Sequence, residues 1–96
     1  MNQTLLARNP LPDAEIRTKI RHVLSEAAML DVPLDTLSDH ADLYAAGLAS
    51  VTSVRVMVAL EDEFEIEIPD RLLTRHLFAS IDSLSRAVAE CLGSQD

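Results

Sequence analysis

The chain has 96 residues, enough to bury one core and too few for two domains. At 48% hydrophobic and 25% charged residues the composition is globular, and no apolar run approaches the roughly 18 residues of a membrane span, so a membrane is not an expected partner. Sixteen acids against eight bases leave a net charge of −8, which repels phosphate backbones and anionic lipid surfaces and removes nucleic acid from the expected partners.

With two glycines, four prolines and abundant Leu and Ala, the sequence lacks the turns of a barrel or sandwich, and an all-helical domain is expected. Residues 1–12, ending in Asn9-Pro10-Leu11-Pro12, read as a flexible leader. They carry Arg8 but neither the continuous apolar stretch nor the cleavage site of a secretory signal. The lone cysteine, Cys91, excludes an internal disulfide and suits a reducing compartment, so a cytoplasmic location is expected.

The domain proper is expected over residues 13–93, with 94–96 a short tail. Asp13 can cap a first helix whose apolar positions Ile16, Ile20, Val23, Leu24 and Ala27 step by three and four, and Asp31 with Pro33 ends it near Leu30. Residues 32–49 hold Pro33, several Asp and Ser, and scattered anchors at Leu34, Leu37, Leu43 and Leu48. That pattern predicts a long loop with one short turn near residues 35–38. A loop of such length in a small domain is usually functional, and Gly47 stands just ahead of the next helix.

That helix is expected over Ser50–Phe64, with Ser50 as its N-cap. At about 100° per residue, Val56, Met57, Leu60 and Phe64 share one arc, while Val51, Val54 and Val58 share another centred roughly 140° away. The first arc faces the core and the second is left exposed. Beyond Pro69, Asp70 can cap a short helix with Leu72, Leu73 and Leu77. Ser80 can cap a last one with Ile81, Leu84, Val88 and Leu92, stopped by Gly93. The predicted fold is all-α, a four-helix bundle with a long loop between the first two helices and a short third helix.

None of His22, His40 and His76 lies at helical spacing from another histidine or from Cys91, so no metal ligand and no catalytic residue is named and an enzyme is not expected. Cys91 is expected to pack as a small core residue. Residues 61–70 hold six acids and no base, without the alternating oxygen ligands and central glycine of a calcium loop. Either a solvated face or a docking surface for a basic partner accounts for them.

The stretch Asp42-Leu43-Tyr44-Ala45-Ala46-Gly47-Leu48-Ala49-Ser50-Val51, then Val56-Met57-Val58-Ala59-Leu60-Glu61-Asp62-Glu63-Phe64 and Ile66-Glu67-Ile68-Pro69-Asp70, resembles the acyl and peptidyl carrier protein family. In that family a Gly-x-x-Ser turn delivers a serine to the start of the second helix. The helix ends much as Ala59-Leu60-Glu61-Asp62-Glu63-Phe64 does, with Ile-Pro-Asp shortly after. The resemblance covers roughly residues 13–92 and matches the four-helix order. It implies that Ser50 is the attachment point of 4'-phosphopantetheine, transferred from coenzyme A by a separate phosphopantetheinyl transferase. The thiol of the arm then holds an acyl or aminoacyl group as a thioester while other enzymes act on it. Elementary electrostatics agree, because a helix start offers unsatisfied amides to a phosphodiester.

Departures from the family refine the expectation. Fatty acid carriers usually have Asp-Ser-Leu where this chain has Ala49-Ser50-Val51, and Thr52 and Arg55 stand where such carriers often place acids. The expected function is therefore a free-standing, monomeric carrier for a specialised biosynthetic pathway. Its partners would be an acyl- or aminoacyl-loading ligase and downstream synthases or transferases. Ordinary fatty acyl carriage, or an unmodified helical adaptor with the carrier fold, are the alternatives. Val51, Val54 and Val58 form the expected docking stripe with Arg55 beside them, and Glu61, Asp62 and Glu65 extend it as charged contacts.

Overall fold

The computed structural model describes residues 11–93. Of the expected leader only Leu11 and Pro12 fall within them, with Leu11 packed against the core. The expected tail, residues 94–96, lies outside the described residues. Three α-helices, α1 (Asp13–Ala27), α2 (Ser50–Phe64) and α3 (Ile81–Gly93), are joined by segments containing the 3-10 turns Leu34–Thr36, Asp70–Leu72 and Arg75–Phe78. No strand occurs among the described residues.

The apolar spacing of α1 places Ile16, Ile20, Val23, Leu24 and Ala27 in the core, and α1 packs against both α2 and α3. Pro12, not Asp13, occupies the N-cap position: its carbonyl accepts the Glu15 and Ile16 amides at 3.0 Å each, which leaves the Asp13 carboxylate for Arg17. The helix ends before Leu30 because Met29 turns left-handed, with φ 53°.

Helix α2 divides as its two arcs require. Val56, Leu60 and Phe64 are buried and Met57 is half-buried against them, while Val51, Val54 and Val58 are 77%, 58% and 51% exposed. The helix closes at Glu65, whose left-handed φ of 53° lets the Glu65 and Ile66 amides both reach the Glu61 carbonyl. The acid-rich stretch then alternates: Ile66 and Ile68 enter the core while Glu65 and Glu67 point outward. The Glu61 carboxylate accepts the Ile68 amide at 2.9 Å and pins this extended run to the helix.

The expected short third helix forms as two 3-10 turns. Between Pro69 and the cap of α3 the chain must deliver Leu77 and Phe78 to the core, and it does so in short i→i+3 steps such as Leu72 N to Pro69 O, 2.9 Å, and Leu77 N to Thr74 O, 3.0 Å. Ser80 caps α3 as expected, in reciprocal form: its hydroxyl accepts the Ser83 amide at 3.1 Å and the Ser83 hydroxyl accepts the Ser80 amide at 3.1 Å. Ile81, Leu84, Val88 and Cys91 are buried and Leu92 half-buried on its inner face.

The long connection between α1 and α2 is tied down by charge. Arg17 contacts Asp13, Asp39 and Asp82 at 2.7, 2.9 and 2.5 Å. Arg21 reaches Asp39 at 2.6 Å and the Leu37 carbonyl at 2.9 Å, and His40 also meets Asp82. Arg21 holds the Asp39 carboxyl below its ordinary range, and Arg17 does the same to Asp82, with His40 adding to it. Carboxyls depressed in the folded state stabilise it above the unfolded pKa, about 3.9, and that stability is lost as pH falls through the folded values. The melting temperature should therefore fall below about pH 4. In Arg17→Met it should be lower at neutral pH and decline less steeply on the acid side, as thermal scans across the acid range would record.

Candidate functional site

The turn ahead of α2 is built around a backbone position that only glycine occupies without strain. Gly47 has φ +112°, and a Cβ there would lie 2.6 Å from Asp31 Oδ2 and 2.9 Å from the Asp31 amide nitrogen. That amide donates to the Ala46 carbonyl at 2.9 Å, so the end of the long loop is laced directly to the exit from α1. Leu43 and Leu48 anchor the same turn in the core, and the Leu43 amide donates to the Ala79 carbonyl at 2.8 Å. Gly47→Ala combines a forbidden φ with a clash against backbone and should cost about 1–3 kcal/mol. Denaturant unfolding would measure that loss, and amide shifts at residues 48–53 would show the displaced turn.

Ser50 follows this turn as the first residue of α2. It is not the N-cap: Ala49 is, with φ −93° and ψ 154°. Alanine has no side-chain acceptor, so the cap is made from the other end. The Thr52 hydroxyl accepts the Ala49 amide at 3.1 Å and donates to the Ala49 carbonyl at 2.8 Å. Ser53 spends its hydroxyl on the Ser50 carbonyl at 2.6 Å. The Ser50 hydroxyl is thus exposed and, among the described residues, has no hydrogen-bond partner. Nearby, the Thr52 and Ser53 amides both donate to the Ala49 carbonyl, at 3.1 and 3.0 Å, which leaves the Ser50 and Val51 amides without an acceptor among the described residues, and no acid stands in that turn.

A cleft of about 380 Å³ opens beside Ser50 between α2 and residues 73–78, lined by Tyr44, Ser53, Val54, Met57, Arg75 and Phe78 among others. No local pattern in the sequence joins Tyr44 to Arg75: 31 residues separate them, and only the fold places the Arg75 guanidinium 3.9 Å from the Tyr44 ring centre. These groups fit a phosphodiester-linked arm, because the Ser50 hydroxyl and the Arg75 cation line one open groove beside the unsatisfied Ser50 and Val51 amides.

The other expected contact residues divide. Val51, Val54, Val58, Arg55 and Asp62 lie exposed along one side of α2. Arg55 also leans on Met29, with its Nη1 3.9 Å from the sulfur, and this joins the α1 exit to the valine stripe. Glu65 is exposed at the far end, whereas Glu61 is only partly exposed and engaged with the Ile68 amide.

The family described as "phosphopantetheine attachment site" matches residues 18–88, and the chain belongs to it. It is a carrier protein whose covalent 4'-phosphopantetheine presents acyl or aminoacyl groups as thioesters. An aminoacyl carrier protein from Agrobacterium fabrum is 46% identical over 77 residues, 80% of this chain and 93% of that protein. A carrier protein from Agrobacterium tumefaciens, solved in complex with an engineered Bradyrhizobium japonicum glycine:[carrier protein] ligase and ATP, is similar too. It has a TM-score of 0.74 and 46% identity over 76% of this chain and 95% of that one. A structure of the Bradyrhizobium japonicum ligase with glycylated carrier protein matches with a TM-score of 0.58 and 27% identity, over 78% of this chain and 96% of that one.

Proposed function

We propose that this chain is an aminoacyl carrier, that Ser50 bears its phosphopantetheine arm, and that a ligase of the amino acid:carrier protein type loads it. The observation that supports this most is the unengaged Ser50 hydroxyl at the first position of α2, behind a glycine-dependent turn and inside the family match. The bound arm would supply a thiol, the group that takes the amino acid as a thioester. The chain's own part is to expose one hydroxyl to the transferase and to offer Val51, Val54, Val58 and Arg55 to whichever enzyme loads it. Residues 13–93 act as the carrier domain, which catalyses nothing itself and works in the cytoplasm.

The missing acids around Ser50 set partner choice. A basic groove built to grip carboxylates there meets Ala49, Thr52 and the like charge of Arg55. It loses attractive pairs worth about 1–3 kcal/mol each when desolvated and less at an exposed rim. A fatty acid malonyl transferase should load the phosphopantetheinylated protein at least about tenfold more slowly than its own carrier, equivalent to about 1.4 kcal/mol. The triple variant Ala49→Asp, Thr52→Asp, Arg55→Glu should load faster, with steeper salt dependence, and its first change also supplies α2 with a capping carboxylate. Efficient malonyl loading of the unaltered protein would instead favour fatty acyl carriage.

A further inference from the structure

Arg75 occupies an unusual place in so acidic a chain. The cations Arg17, Lys19, Arg21 and Arg71 are each paired with carboxylates, whereas Arg55, Arg75 and Arg86 make no ion pair among the described residues, and of these three Arg75 is the one that lines the cleft beside Ser50. Its position is nevertheless fixed twice by one residue. The Tyr44 ring lies under the guanidinium, 3.9 Å from centroid to Cζ, and the Tyr44 hydroxyl donates to the Arg75 carbonyl at 2.8 Å. Tyr44 is itself held by Asp42, whose carboxylate accepts the Tyr44 amide at 2.9 Å. A cation held in place without a counter-charge thus lines the same cleft as Ser50.

We infer that Arg75 is the anchor for the phosphodiester of the arm on Ser50, and that this contact lays the arm along the cleft between α2 and residues 73–78. The inference rests on the proposed attachment at Ser50. A guanidinium pairs with two phosphate oxygens through its planar fork, which a point-charge ammonium cannot reproduce. The cleft matches the occupant in size and polarity. Its roughly 380 Å³ lies at the lower end of small-molecule sites, about 300–1,000 Å³. Met57, Val54 and Phe78 offer apolar surface to the arm's methyl groups, and Thr74 and Ser53 offer polar atoms to its amides. Tyr44 and Arg75 are therefore positioning residues for the arm rather than contacts for an enzyme.

Proton NMR of the phosphopantetheinylated protein tests this. Cross-peaks are expected between the geminal methyls of the arm and the side chains of Met57 and Phe78, together with apo-to-holo amide shifts across residues 73–78. Both should vanish in Arg75→Gln, weaken in Arg75→Lys, and weaken in wild type at high salt. Tyr44→Phe keeps the ring under the guanidinium and should retain most of the effect, whereas Tyr44→Leu should lose it. The apo amide spectrum of each variant reports its fold separately. A protein that gains the arm by mass but shows no such cross-peaks, or shows them equally in Arg75→Gln, overturns the anchor and leaves the carrier reading standing. A protein that never gains the arm overturns both.

Discussion

Ser50→Ala should abolish the mass gain that accompanies phosphopantetheinylation and leave the fold intact. The Ser50 hydroxyl makes no hydrogen bond among the described residues, so removing it leaves no buried group unsatisfied. Alanine is also the strongest helix former, and the cap of α2 depends on Thr52 rather than on Ser50. Circular dichroism and the melting temperature should therefore stay close to wild type while modification falls to nothing. Ser53→Ala is the discriminating control. Its hydroxyl lies one helical turn away and already donates to the Ser50 carbonyl, so the variant should still be modified. Equal modification of wild type and Ser50→Ala would show that a different hydroxyl takes the arm.

Leu60→Ala should cost about 2–5 kcal/mol, a large share of the about 5–15 kcal/mol expected for a domain of this size. Leu60 has no exposed surface, sits mid-helix, and lies between Val56 and Phe64 on the buried arc of α2. Truncation there opens a cavity that neither helix end can close. The melting temperature should drop by about 4–8 °C for each kcal/mol lost. Val58→Ala, on the exposed arc, should move it little, since that side chain is 51% exposed. A small loss at Leu60 and a large one at Val58 would mean that the two arcs had been exchanged.

Much of this architecture was legible in the order of residues. The steps of three and four in α1 named all five of its buried positions, and the two separated arcs of α2 foretold which valines face solvent. Helix ends were harder. Ser50 was expected to cap α2 and Asp13 to cap α1, but the cap falls one residue earlier in each, where the backbone leaves helical dihedrals. A short helix after Pro69 was expected where two 3-10 turns form, because propensity does not register the tight spacing needed to bury both Leu77 and Phe78. The alternation of Ile66 and Ile68 with acids was present in the sequence, but the density of charge masked its period of two. Gly47 announced a turn, though not that Asp31 would fill the space beside it. The pairing of Arg17 with Asp82 joins residues 65 positions apart, and no local pattern encodes it.

The most direct measurement is the peptide mass spectrum of the phosphopantetheinylated protein after incubation with ATP, a mixture of the proteinogenic amino acids and an amino acid:carrier protein ligase. The account predicts that the peptide containing Ser50 gains the arm plus one aminoacyl group, that mild hydroxylamine removes the aminoacyl group alone, and that the peptide containing Cys91 is unchanged. Cys91 is buried, and desolvation raises its pKa, so its thiol should not compete. An aminoacyl group on any other peptide, or a Ser50 peptide that carries no arm after treatment with coenzyme A and several transferases, would contradict it.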